Sequence, residues 1–184
     1  VYFYDGGRRL SATWTGTTNP VYKRGDLRKL VSADNRFLAL PMTGKLIGVY
    51  RVNGLRTSGD PNFQVYVPNP VDRLEWNSFD GDIALVKSTT GNDVILHKTE
   101  EPDVGRGIQI NFETFEIAPV DRYISFPTGF AFFAKGDPQL NLNVVECSTT
   151  CALRKIAIPA AIKNIAGFAY SGGTGDSSRL PEKP

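Results

Sequence analysis

Ile108-Gln109-Ile110-Asn111-Phe112 and Leu140-Asn141-Leu142-Asn143-Val144 alternate apolar with polar side chains, one for one. A helix would space its apolar residues three and four apart. A strict period of two belongs to an extended chain with one face buried and the other wet. Both runs therefore predict half-buried β-strands, and the rest of the chain reads in the same terms.

Outward from these runs, short extended segments recur, many of them closed by turn residues. Toward the N-terminus lie Phe37–Leu40, Lys45–Val52 before Asn53-Gly54, Phe63–Val67 before Pro68-Asn69-Pro70, Ile83–Lys87 before Thr90-Gly91-Asn92, and Val94–His97. Toward the C-terminus follow Tyr123–Phe126, Phe130–Phe133, the strand Leu140–Cys147 and Arg154–Ile158. Asn-Gly, Pro-Asn-Pro and Thr-Gly-Asn supply the left-handed or fixed backbone angles that reverse a chain. At the start, Val1–Tyr4 and Arg9–Thr15 flank Asp5-Gly6-Gly7, a hairpin signal. The one helix expected is short: Asp26 caps Leu27, Leu30 and Val31 at helical spacing. Many short strands with scarcely any helix predict an all-β protein, an antiparallel jelly-roll β-sandwich with one short helix. Residues 1–170 are read as one domain. Residues 171–184, poor in apolar side chains, are read as a flexible tail.

Composition excludes some classes. Of 184 residues, 41% are hydrophobic, and no run of about 18 apolar residues could span a bilayer. Gly (18) and Pro (12) are spread along the chain instead of gathered in a linker, as many turns require. The only methionine is Met42 and the chain opens on Val1, so proteolytic processing or removal of a signal is expected. The net charge of +2 is uneven: through Arg36, seven basic residues against three acidic ones leave an excess of four. That excess marks Arg24, Arg28 and Lys29 as candidates to face nucleic acid, with a solvated basic edge as the equal alternative.

Constellations for chemistry are weak. His97 is the sole histidine and no G-x-S-x-G elbow occurs, so a Cys147/His97 dyad is the only nucleophile–base pair on paper. Cys147-x-x-x-Cys151 is too little for a closed zinc site, and two cysteines are too few for a disulfide framework; a reduced pair is expected. Gly172-Gly173-Thr174-Gly175 lacks the lysine of a phosphate loop. Asp80, Asp82, Glu100, Glu101 and Asp103 crowd turn regions, where acids could hold calcium or act as a pair, but more commonly are solvated. No catalytic, cofactor-binding or metal-binding residue is assigned, and no cofactor is expected.

Read in order, four places resemble the small coat proteins of comoviruses and fabaviruses, picorna-like plant RNA viruses. Val1-Tyr2-Phe3-Tyr4-Asp5-Gly6-Gly7 is similar to the opening strand and turn. Leu27-Arg28-Lys29-Leu30-Val31 followed by Gly44–Gly54 is similar to the short helix and the long strand after it. Gly129-Phe130-Ala131-Phe132 leading to Leu142–Thr150 is similar to a G-F-E-F segment, loop and L-E-C-type strand. Arg154–Ile158 with Asn164-Ile165-Ala166-Gly167 is similar to the last strand and the stretch that leaves it. The loop Lys135–Gln139 and Phe168 after Gly167 depart from that pattern, and residues 54–107 match none of it.

The resemblance implies a non-enzymatic structural subunit, cut from a polyprotein, whose jelly roll assembles into an icosahedral virion in the host cytoplasm. Its partners would be other copies, a larger coat protein or further jelly-roll coat proteins, and genomic single-stranded RNA, with no membrane. Aromatics beyond the needs of one sheet face, among them Tyr2, Tyr4, Trp14, Phe132, Phe133 and Phe168, are expected at subunit contacts. The rival readings are a carbohydrate-binding or adhesive β-sandwich, a pilus or phage subunit, and, as a third class, a hydrolase built on His97, Cys147 or paired acids.

Overall fold

The computed structural model describes residues 3–5, 8–10, 29–42, 44–52, 60–103, 107–162 and 168–169, with the backbone alone at 3–5, 8–10 and 102–103. The chain is all-β and antiparallel. A hairpin of β1 (Phe3–Asp5) and β2 (Arg8–Leu10) sets Phe3 opposite Leu10. Three sheets follow. The first holds β3 (Phe37–Pro41), β4 (Leu46–Arg51) and β5 (Phe63–Tyr66). The second holds β6 (Val71–Trp76), β7 (Ile83–Ser88), β8 (Asp93–Asp103) and β9 (Gly107–Ile117). The third holds β10 (Val120–Phe126), β11 (Gly129–Ala134), β12 (Leu142–Cys147) and β13 (Cys151–Ile156). Every ladder among the described residues joins strands consecutive in sequence, so the non-consecutive neighbours that define a jelly roll are not among them.

The second sheet is the middle layer, because alternate residues of its strands enter different cores. Ala84, Val86, Val94 and Leu96 pack with Phe37, Ile47, Val49 and Trp76. Their neighbours Ile83, Leu85 and Ile95 pack with Ile117, Val120, Phe130, Phe132 and Val145. A strand turns successive side chains to opposite faces, so a continuous run such as Ile83-Ala84-Leu85-Val86 is what a sheet covered on both sides needs. Two buried polar residues join the middle sheet to the third. Asn77 donates from Nδ2 to the carbonyls of Phe126 (2.9 Å) and Gly129 (2.7 Å), while its Oδ1 accepts from the amides of Phe79 and Asp80. Asp93 accepts from the amides of Ser88 and Val120, both at 2.8 Å. Both side chains thus satisfy backbone groups that strand ends leave unpaired.

Several expectations need correction. Val31 does not continue a helix: it bridges to Leu38, and among the described residues helical backbone near it is limited to Lys29–Leu30. The proposed helix start at 26–28 lies outside the described residues. Strand β6 was not expected, because a register shift between Val71 and Arg73 breaks its period: Val71 and Leu74 are three apart, Leu74 and Trp76 two. The strand expected from Leu140 begins at Leu142. Leu140 itself has φ +49°, in a loop organised by the Asp137 carboxylate, which accepts from the amides of Gln139 and Asn141.

Candidate functional site

The middle sheet narrows beside its own edge. Strand β7 begins at Ile83, opposite His97, while β8 runs on to Asp103 with only β9 beside it. Place is left next to Thr99 that a longer β7 would have filled. The turn before β7 covers part of it: the Lys98 amide donates to the Asp82 carbonyl at 2.7 Å, and the Asp82 amide to Asp80 Oδ1 at 2.8 Å. The turn Ser148-Thr149-Thr150 between β12 and β13 forms the facing wall. The result is a cleft of about 610 Å³ lined by Asp80, Asp82, His97, Thr99, Glu100, Glu101 and Glu113 together with that turn, Lys98 and Cys147.

The β8–β9 register decides which groups share a face. His97 stands opposite Glu113, Thr99 opposite Asn111, and Glu101 opposite Gln109. Lys98 belongs to the other face, where its Nζ is enclosed, with the side chain only 2% exposed, and meets Asp82 Oδ1 at 2.6 Å and Glu100 Oε1 at 2.7 Å. It also lies over the Phe37 ring, 5.8 Å from the centroid. Burial pushes the Lys98 ammonium down, but hydrogen bonds to the two carboxylates outweigh burial and hold it above its usual range. The same hydrogen bond from Lys98 holds Glu100 below the usual carboxylate range. Nearby, burial raises Asp34 while hydrogen bonds from Ser32 and Arg36 lower it more, so its carboxyl too is held low. Arg36 also reaches Asp82 Oδ1 at 3.4 Å.

This lining bears on each chemistry weighed from the sequence. His97 and Cys147 do line one cleft, which nothing in the sequence placed together. Cys147 is nevertheless bonded to Cys151, across the β12–β13 hairpin, so no thiolate is available and the expectation of a reduced pair is overturned. The sequence carried a signal for this: two cysteines either side of a three-residue Ser-Thr-Thr turn fall opposite each other if the second strand begins at Cys151 instead of Arg154. No group of three or more His, Cys, Asp or Glu that could hold a metal ion occurs among the described residues. Nδ1 of His97 is buried without a hydrogen-bond partner.

The expected contact residues fall in different places. Phe132 (1% exposed) sits in the core between the second and third sheets, and Phe133 is buried within the chain. The reason is the pattern of β11, which is buried on both faces from Gly129 to Phe133. Phe168 is half-buried against Phe133, ring centroids 5.0 Å apart. Lys29 is exposed but ion-paired with Glu75 at 3.0 Å. Glu75 also accepts from the Tyr123 hydroxyl, whose burial and this carboxylate together push its pKa far up. Tyr2, Trp14, Arg24 and Arg28 lie outside the described residues, as do the side chains of Tyr4 and Asp103. What the surface does expose is β13, open to solvent along nearly its whole length, with Leu153 and Ile156 about two-fifths exposed and no strand on its outer side among the described residues. Tyr66, Phe79 and Ile108 are exposed elsewhere.

Fold and cleft define a layered, all-β antiparallel protein with an acidic cleft and, among the described residues, a solvent-exposed edge strand. The chain matches no family model, no curated protein and no solved structure.

Proposed function

We propose that this chain is a structural subunit that assembles through its β-sheets, and that the assembly is an icosahedral capsid enclosing single-stranded RNA together with further coat domains. The observation that carries the assembly reading is β13. A strand with no neighbour on its outer side among the described residues, and with apolar side chains open to water, invites pairing with another chain. The capsid, the RNA and the polyprotein origin rest on the sequence resemblance. The jelly-roll order belongs to the same proposal and requires ladders between strands distant in sequence, which a density map of assembled particles would reveal.

Electron microscopy of the material as isolated from its source tests this reading, with co-purifying proteins and nucleic acid recorded alongside. Icosahedral particles containing RNA and a second coat protein are the expected result; a monomer without partners at high concentration refutes it. The Cys147–Cys151 disulfide favours a second reading, an adhesive β-sandwich that binds carbohydrate at a surface other than the cleft. Binding to a glycan array by the monomer would support that alternative.

A further inference from the structure

The cleft holds more unsatisfied polar chemistry than the fold needs. His97 is 4% exposed and its Nδ1 has no partner; Thr99 Oγ1, two residues on along the same face of β8, is also buried and unpartnered. Buried polar atoms are nearly always hydrogen-bonded, so two orphans in one cleft point to a missing donor or acceptor. On the same face Glu113 and Glu101 form no ion pair among the described residues, whereas Asp82 and Glu100 are held by Lys98.

The lining narrows the occupant. Five carboxylates against one ammonium repel an anion. Among the described residues no three donors are placed to hold a metal ion, and no Phe, Tyr or Trp ring lines the cleft for a sugar to stack on. An organic cation with several N–H donors fits, as a guanidinium or ammonium does. The chain itself presents such groups. Arg154 and Lys155 lie on β13, opposite Val144 and Asn143 of β12, exposed, and without an ion pair among the described residues.

We propose that the acidic cleft is a socket for the β13 edge of a second copy of this chain, with Arg154 or Lys155 entering between Glu101 and Glu113 and donating to Thr99 Oγ1 and His97 Nδ1. The inference rests on the assembly reading and names its contact. Socket and edge are different patches, so the contact is heterologous and, repeated, closes a ring or shell or runs on as a filament.

Sedimentation velocity of wild type, R154E/K155E, E101K/E113K and an equimolar mixture of the two variants, at about 50 and about 500 mM salt, tests it. Wild type is expected to associate and to weaken with salt. Each variant alone should lose at least about tenfold in association, and the mixture, with both charges swapped, should recover it. The milder E101Q/E113Q, checked like the others by circular dichroism, should lose the salt-sensitive part without recovering in any mixture. Variants that associate like wild type overturn the socket and leave assembly standing, as does a mixture that fails to recover. A wild type monomeric at every concentration overturns both.

Discussion

Lys98 carries its charge at the boundary between the first core and the cleft, held by two half-exposed carboxylates. Replacing it with methionine keeps the packing over Phe37 but leaves Glu100 without its ion pair and Asp82 with only Arg36, 3.4 Å away. K98M should cost about 1–2 kcal/mol in urea unfolding, below the range for fully buried pairs because water screens the acids. The sign of the pH dependence follows from the shifts. Glu100 and Asp34 are held below their ordinary 4.5 and 3.8, so their contribution is full above those values and is lost as pH falls through their lowered folded-state values. Lys98 is held above its ordinary 10.5, so its contribution is full at neutral pH and is lost only as alkali passes its raised value. Urea midpoints measured from neutrality to about pH 3 should therefore fall steeply at the acid end in wild type and less steeply in K98M. A second residue is constrained by space alone: a Cβ on Gly129 would overlap the carbonyl oxygen of Val145 on the paired strand. G129A should cost about 1–3 kcal/mol by displacing β12 from β11, read as a lower urea midpoint.

The β12–β13 hairpin is tied by its antiparallel ladder and by Cys147–Cys151, with little help from burial, since β13 buries almost nothing. Closing so short a loop restricts the unfolded chain by about 2 kcal/mol. C147S/C151S should lose about that much in equilibrium unfolding, and hydrogen exchange should quicken in β13 before it quickens in β11. Uniform protection of both strands in the variant would contradict this account. The element also explains what sequence reading missed. The alternation around Leu142–Val144 placed β12 correctly, yet the next strand was begun at Arg154, because Cys151-Ala152-Leu153 carries no polar–apolar period. An exposed edge strand lacks the buried face that generates one. Strand β6 was missed for the opposite reason, a bulge that breaks the period of a half-buried strand.

Three stacked layers imply that adjacent residues of the middle sheet act on different cores. Ile95 and Leu96 are both fully buried, one in each cluster. I95A and L96A should each cost about 2–5 kcal/mol in denaturant unfolding, and should add nearly independently because they share no cavity. If the sheet were covered on one face only, one of the two would be close to neutral.

The repeating pattern of short apolar runs and turn residues was enough to establish an all-β chain and to place most strands within a residue or two, because period and turn chemistry are local properties. It could not order the sheets or say which run is covered on both sides; Ile83-Ala84-Leu85-Val86 reads alike for a buried strand in many architectures. The cleft was beyond reach for the same reason. His97, the acids after Phe79, Glu113 and the Ser148–Thr150 turn are far apart in sequence, and they meet only because β7 ends short of β8 while the third sheet packs across the gap. That meeting depends on strand length and layer stacking, which are set by packing among distant residues and leave no local trace in the chain.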